Sequence, residues 1–178
     1  MTNEEIDKEL SKIEELDLIL SKLKDEFSKS LSSQITIENI YDALYLELKE
    51  KYNFEHPTQL WDIDADFEKL KKILSNFDFK TVLFPVETSR NLIPKDYLVG
   101  YKISIKLKNL KWRIHKYDLD PFPSNPHAHL IDSNIKMDLT NGKCYKRKKY
   151  THTISKKELL KIREKAQINF ELPPLKFN

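Results

Sequence analysis

Apolar residues in the first third of the chain recur with the period of an α-helix. They stand every seven positions, at Ile6, Ile13, Leu20 and Phe27, and further leucines widen the stripe. A second helix is predicted to begin after Thr36, which is a suitable N-cap, and a third is predicted within residues 64–77. Residues 1–80 are therefore expected to be helical.

From Tyr101 the period of the pattern changes from that of a helix to that of a half-buried strand. The alternation slips by one residue at Lys108 and Asn109, which predicts a bulge or a very tight turn. If this is a bulge within one long strand, the polar side chains form a single row without an acidic residue. The row contains Lys102, Lys106, Lys108, Lys111, Arg113 and His115.

Further strands are indicated downstream, and a final helix follows them. The segments TVLFPV (81–86) and HAHLI (127–131) favour short strands, and TNGK (140–143) is typical of a hairpin turn. Ser155 begins an S-K-K-E capping box. The predicted fold class is α+β, with N-terminal helices, an antiparallel sheet of about four to five strands and a C-terminal helix. Residues 1–80 and the β-rich residues 81–178 are expected to form one compact domain.

The two parts of the chain carry opposite charge. Residues 1–80 contain 11 Lys and Arg against 19 Asp and Glu, a balance of −8, whereas residues 81–178 contain 20 against 9, a balance of +11. A basic surface of this size attracts polyanions, and nucleic acid is the expected partner, with RNA favoured. The alternative is that the two parts neutralise each other within one fold or one dimer.

Composition excludes several classes of protein. Gly100 and Gly142 are the two glycines of the sequence, so neither a phosphate-binding loop nor a dinucleotide fingerprint can be present. The single cysteine, Cys144, cannot form an internal disulfide and fits a reducing compartment. No apolar run approaches the length of a membrane helix, and the acidic N-terminus does not resemble a signal peptide. We expect a cytoplasmic protein that does not bind membranes.

The segment DPFPSNPHAHLID (120–132) places two histidines one residue apart. Because residues two apart on a strand point to the same side, His127 and His129 are predicted to project together. One hypothesis makes them the acid and base of RNA cleavage, with Arg113 and Lys136 stabilising the negative charge that develops on the phosphorus centre. That reaction needs no metal and no other cofactor.

Two alternatives for the histidines stay open. They are metal ligands in the first, with His115, His152 or Cys144 completing the set and Asp118, Asp120 and Asp132 as further oxygen donors. In the second alternative they cap and pack a proline-rich loop and have no chemical role.

A basic run follows the histidines and is interleaved with Tyr145 and Tyr150. Lysines and arginines grip phosphates, and tyrosines can stack on bases, so this run predicts a nucleic-acid-binding patch. The alternative is a solvated edge strand that its lysines protect from aggregation. The predicted nucleic-acid-binding residues are Lys106, Lys108, Lys111, Lys143, Tyr145, Lys146, Arg147, Lys148 and Lys149.

The strand WRIH (112–115), followed by a loop and PHAH (126–129), resembles the small toxin–antitoxin RNases of the TumE-like kind. The resemblance covers about residues 101–150. It implies that Arg113, His127 and His129 belong to an RNase site, and it implies a toxin or defence role.

Two functions are therefore expected. The first is a metal-independent endoribonuclease of toxin or defence type that engages nucleic acid through its basic part. The alternative is a non-catalytic binding or regulatory module, such as an antitoxin-like or nucleic-acid-binding subunit, in which the histidines are structural or bind zinc. In both cases the acidic helices are expected to bind a partner protein or a second copy of the chain.

Overall fold

A computed structural model describes residues 2–64, 66–89, 92–94, 97 and 109–177 of the chain. The strand predicted from Tyr101 and the register slip at Lys108 lie outside these residues. The chain divides into two compact units, Met1–Phe77 and Asp78–Asn178. The division falls three residues before the boundary expected from the charge and hydropathy patterns.

The N-terminal unit consists of helices, and side-chain caps fix the starts of the second and third of them. Helix α1 spans Asn3–Leu31, α2 spans Ile37–Tyr52, and α3 spans Phe67–Leu74 after a 3-10 turn at Pro57–Asp62. The side chain of Thr36 accepts a hydrogen bond from the backbone N–H of Asn39, and Asp66 caps α3 in the same way. Leucines on the facing sides of the three helices, including Leu20, Leu44 and Leu70, are buried.

The C-terminal unit is built around an antiparallel sheet with six strands among the described residues, in the order β1 to β6. The strands are β1 Val86–Thr88, β2 Leu110–His115, β3 His127–Leu130, β4 Ile135–Met137, β5 Lys143–Lys146 and β6 Lys149–Thr153. Helix α4 (Lys80–Leu83) precedes the sheet, and helix α5 (Lys156–Ala166) follows it. The α+β class, with N-terminal helices, an antiparallel sheet and a C-terminal helix, is confirmed.

The strand predicted at residues 81–86 is wrong over most of its length. Lys80–Leu83 forms a helical turn, and β1 begins only at Val86. The carboxylate of Asp78 accepts a hydrogen bond from the backbone N–H of Lys80, and the Asp78 carbonyl accepts one from Thr81. These local bonds favour a turn at this point despite the β-branched sequence.

One face of the sheet forms the core of the C-terminal unit. We call this the apolar face; it comprises Trp112, Ile114, Ala128, Leu130, Ile135, Met137 and Cys144. It belongs to the same buried cluster as Leu159, Ile162 and Ala166 of α5. Ser155 caps α5 by accepting a hydrogen bond from the backbone N–H of Glu158, which is one half of the predicted capping box. Burial of these side chains is the main stabilising contribution of the sheet.

The predicted turn at residues 140–143 lies between β4 and β5. Gly142 has φ +80°, and an added Cβ would come within 2.9 Å of Ile154 Cγ1. Glycine is therefore required at this position for its conformation and for its lack of a side chain. None of the helices described is long and apolar enough to cross a membrane.

Candidate functional site

The other face of the sheet is buried as well, although its side chains are polar. Cross-strand register places Arg113 opposite His129, His129 opposite Lys136, and His115 opposite His127. We call these five residues the polar face. Their exposed fractions are 3% for Arg113, 1% for His115, 1% for His127, 2% for His129 and 9% for Lys136. The sequence-predicted set Arg113, His127, His129 and Lys136 is thus brought together on one surface.

Asp118, in the loop between β2 and β3, places its carboxylate against the polar face. Oδ1 accepts a hydrogen bond from the backbone N–H of Asp120 at 3.0 Å, which fixes the carboxylate orientation. Oδ2 lies 3.1 Å from Nε2 of His127 and 2.9 Å from Nε2 of His129. Lys136 Nζ is 3.5 Å from the same oxygen. Three nitrogen atoms from two strands therefore surround one carboxylate oxygen.

Ser124 ties the same loop to the sheet. Its carbonyl oxygen lies 2.7 Å from Nδ1 of His127, and its hydroxyl donates to the carbonyl of Pro126 at 2.9 Å. The hydroxyl oxygen also accepts from the backbone N–H of Leu139 at 3.1 Å. Because these bonds anchor the loop at both β3 and the start of the β4–β5 turn, Asp118 is held in place by a fixed backbone.

A second carboxylate, Asp120, joins the loop to the basic end of the sheet. Its Oδ2 lies 3.4 Å from Nζ of Lys136 and 3.4 Å from Nζ of Lys148. Partial burial raises the pKa of Asp120, but the charge of Lys136, the Phe122 backbone N–H and the charge of Lys148 outweigh it and lower the pKa overall. Asp120 is therefore an ionised link between the polar face and the β5–β6 turn.

The hydrogen bonds of His127 determine what can stand between its ring and Asp118. A carbonyl can only accept, so Nδ1 of His127 donates to Ser124. In a neutral ring, Nε2 then carries a lone pair, and that lone pair faces the carboxylate oxygen of Asp118 at 3.1 Å. Two electron pairs repel each other at this distance. The contact therefore needs either a proton shared between Nε2 and Oδ2 or a metal ion bound by both atoms.

The structure also selects among the metal ligands considered from the sequence. His115, Asp118 and His129 each offer a ligand atom within 4.8 Å of the others.

Cys144 and His152 lie opposite each other in the β5–β6 pair, and Cys144 belongs to the apolar face. Burial raises the pKa of the Cys144 thiol to about 12. Burial lowers the pKa of His152, and a hydrogen bond to the Leu92 backbone carbonyl only partly offsets this effect. Asp132 is exposed and lies outside the group.

The predicted nucleic-acid-binding residues divide into several environments. The basic hairpin, residues 143–153, exposes Lys143, Arg147, Lys148 and Lys149, whereas Lys146 is half-buried. Lys111 is half-buried on β2 and lies opposite Glu87 of β1. The Tyr145 ring packs edge-on against Phe122 at 4.8 Å and against Tyr150 at 6.2 Å between centroids. Lys106 and Lys108 lie outside the described residues.

The turn of the basic hairpin has an unusual composition. Lys146 pairs with Lys149, so Arg147 and Lys148 alone form the connection, with φ of 48° and 63°. Two-residue turns with positive φ at both positions favour Asn-Gly, because other side chains crowd the backbone there. Two long cationic side chains occupy these positions instead.

Two residues, Asp118 and Tyr150, are not among the site residues predicted from the sequence, although the structure places them at the candidate sites. Asp118 was considered only as a further oxygen donor, because its position depends on an irregular loop that has no sequence period. Tyr150 was noted beside the basic run but not chosen, although 58% of it is exposed and Tyr145 is half-buried. The sequence signal for Tyr150 is its position directly after the four basic residues 146–149.

Comparison of the chain with protein-family models, with curated proteins and with solved structures gives no match.

Proposed function

We propose that the C-terminal unit is a nucleic-acid-binding module that binds RNA through its basic hairpin. The cationic side chains of this hairpin are exposed except for Lys146, and Arg147 and Lys148 form its two-residue turn. A side-chain charge can contact a phosphate only if it is accessible, and these exposed charges of the hairpin meet that condition. The polar face, in contrast, is closed to a polynucleotide in this arrangement because its histidines are 1–2% exposed.

The observation that carries this proposal is the pair of positive φ angles at Arg147 and Lys148. A left-handed conformation costs a residue with a side chain roughly 1–2 kcal/mol relative to the right-handed one. Asn-Gly would remove most of that cost. Lys148 contacts Asp120 but stays largely exposed, and a strained turn built from two cations is explained if their charge also binds phosphate at the tip of the hairpin.

Tyr150 adds a second kind of contact. Tyr150 is 58% exposed, and its ring packs edge-on against Tyr145, which is itself supported by Phe122. An exposed aromatic ring beside lysines can stack on an unpaired base, and each such stack contributes about 1–3 kcal/mol. This favours single-stranded RNA over a duplex.

The test is the double variant Arg147→Asn with Lys148→Gly, which installs the preferred turn while removing two charges. Binding of a labelled single-stranded RNA is measured by fluorescence anisotropy over a range of salt concentrations. We expect weaker binding and a salt slope reduced by about 1.4, since each lost phosphate contact removes about 0.7. Folding should be retained or improved, which thermal melting will show.

The matched control removes two exposed charges elsewhere, with Lys157→Gln and Lys176→Gln. This control should bind RNA nearly as well as the wild type. Equal affinity of the wild type and the turn variant would contradict the proposal. A parallel series with single-stranded DNA of the same sequence determines the preference for ribose.

A second candidate function is the endoribonuclease, and the convergence of Arg113, His127, His129 and Lys136 on one face favours it. Ring centroids of His127 and His129 are 4.4 Å apart, and Lys136 and Arg113 lie in register with His129. Such a set has the groups needed for acid–base catalysis and for stabilising a developing phosphorane charge. Because these side chains are buried, RNA could reach them only after the loop that carries Asp118 had moved.

Incubation with a mixed RNA pool, with and without EDTA, tests this candidate beside folded His127→Ala and His129→Ala variants. Cleavage that persists in EDTA and disappears in both variants would support the acid–base pair without a metal. RNA binding without cleavage under any condition would leave the binding module as the function.

The N-terminal unit is proposed to bind a partner protein or a second copy of the chain. Helix α1 exposes Ile6, Leu10 and Leu18, with 41%, 52% and 61% of their surface accessible. Light scattering after size exclusion, comparing the wild type with Leu10→Gln and Leu18→Gln, distinguishes self-association from a monomer.

We further propose a cytoplasmic location, which a fluorescent fusion in cells tests.

A further inference from the structure

We propose that the polar face and Asp118 form a binding site for a divalent transition-metal ion of the zinc class, with His115, Asp118, His127 and His129 as ligands. The inference does not rest on RNA binding or on RNA cleavage. It follows from the geometry, burial and hydrogen bonding of these four residues.

Two distances between the donor atoms match those around a bound zinc ion. Bonds from zinc to histidine nitrogen and carboxylate oxygen are about 2.0–2.2 Å, so tetrahedral ligand atoms stand roughly 3.3 Å apart. Asp118 Oδ2 lies 3.1 Å from Nε2 of His127 and 2.9 Å from Nε2 of His129. A ring nitrogen of His115 lies within 4.8 Å of the ligand atoms of Asp118 and His129. His115, Asp118 and His129 thus form a cluster of three ligands, and His127 adjoins it through its 3.1 Å contact with Asp118 Oδ2.

The outer contacts of His127 and Asp118 are those of preoriented ligands. Nδ1 of His127 donates to the Ser124 carbonyl, which fixes the tautomer that leaves Nε2 with a lone pair. Oδ1 of Asp118 accepts from the backbone N–H of Asp120, which leaves Oδ2 directed at the histidines. Ligands of a metal site are held in this way, with the outer atom bonded to the protein and the inner atom available.

Geometry favours a metal ion over a proton as the group that relieves the repulsion at His127. A proton bridges only one pair of atoms, whereas Asp118 Oδ2 lies close to Nε2 of both His127 and His129. A metal ion instead distributes its charge over several ligands through short bonds. The set of imidazoles and one carboxylate suits zinc, cobalt or nickel rather than magnesium or calcium, which prefer oxygen ligands.

Arg113 and Lys136 oppose a cation in the site and so limit its affinity. Lys136 lies 3.5 Å from Asp118 Oδ2, but Asp120 holds the same ammonium at 3.4 Å. Asp120 therefore draws positive charge away from the ligands. We expect binding weaker than in sites built from cysteine thiolates, and an enclosed rather than an open coordination shell, because the ligands are buried.

The test uses the full chain without a histidine tag, stripped of metal and titrated with Co²⁺. Tetrahedral or five-coordinate Co²⁺ bound by histidine absorbs much more strongly in the visible range than hydrated Co²⁺. We expect this absorption to saturate at about one ion per chain, and Zn²⁺ to abolish it by competition. His129→Ala and Asp118→Asn should each weaken Co²⁺ binding at least about tenfold, the range seen when metal-site groups are lost.

The matched controls are His56→Ala, in the N-terminal unit, and His152→Ala, opposite Cys144 in the sheet. Both should bind Co²⁺ as the wild type does. A nitrogen NMR spectrum of wild-type histidines is independent of whether any variant folds. On addition of Zn²⁺, the Nε2 signal of His127 should shift while Nδ1 keeps its proton. An unchanged spectrum and no Co²⁺ absorption would overturn the proposal, as would binding lost in His152→Ala and kept in His129→Ala.

Discussion

Strands β2, β3 and β4 bury two faces of opposite chemistry. Ile114, Ala128 and Met137 lie across the apolar face, each 0% exposed, whereas their sequence neighbours Arg113, His129 and Lys136 lie across the polar face, at most 9% exposed. Burial of the first set is favourable in itself. Burial of the second set costs free energy unless every charge and polar atom is matched. The two faces are thus buried to a similar extent but differ in role. The apolar face stabilises the sheet, and the polar face contains the candidate functional site.

The largest effect is expected when the carboxylate of Asp118 is removed from beside the polar face. In Asp118→Ala, His127, His129 and Lys136 stay buried without the carboxylate that they surround in the wild type. We expect the free energy of unfolding to fall by about 3–5 kcal/mol, the range for breaking one partner of a buried ion pair. Urea unfolding measures the change.

Glu164→Ala, which removes an exposed carboxylate from α5, is the control and should change the free energy of unfolding by no more than about 0.5 kcal/mol. Similar small effects for Asp118→Ala and Glu164→Ala would mean that Asp118 does not hold the polar face together.

The matching change on the apolar face is Ile114→Ala. Lost burial and the resulting cavity should lower the free energy of unfolding by about 2–5 kcal/mol. Unlike Asp118→Ala, this variant should keep the response of its melting temperature to added Zn²⁺, because its side chain lies on the other side of the sheet. Loss of that response in Ile114→Ala would show that the two faces do not act separately.

The smallest effect is expected for the chemical reactivity of Cys144 on the apolar face. Burial raises the pKa of Cys144 to about 12, so the reactive thiolate is scarce at pH 8. The folded protein should therefore react very slowly with a thiol-specific dye, and the protein in denaturant should react at once. Rapid labelling of the folded chain would contradict the placement of Cys144 in the core.

The sequence period was sufficient to predict which residues share a face within one strand. The alternation around Arg113 and His115 and the spacing of His127 and His129 both predicted pairs on one side. That these pairs lie opposite each other depends on the β2–β3 register, which the sequence pattern does not encode. The same limit applies to the three helices of the N-terminal unit, whose extents were predictable and whose packing was not.

His152 lies in the same basic part of the chain as His115, His127 and His129, but a single irregularity separates it from them. Tyr150 and His152 are two residues apart, and simple alternation would place them on one face. A register shift at Cys144 and Tyr145 instead pairs Tyr145 with Tyr150 and Cys144 with His152. The shift moves His152 to the side of Cys144. Bulges of this kind depend on tertiary contacts, so the pattern alone could not predict it.

The central claim is that the polar face is buried because it surrounds a bound metal ion, and a melting experiment tests it most directly. The melting temperature of metal-stripped protein is measured with excess EDTA and with Zn²⁺, for the wild type, His129→Ala and His152→Ala. A ligand that binds only the folded state stabilises it in proportion to the logarithm of its concentration above Kd. We predict that Zn²⁺ raises the melting temperature of the wild type and of His152→Ala but not that of His129→Ala. The same melting temperature with Zn²⁺ and with EDTA in the wild type would contradict the claim.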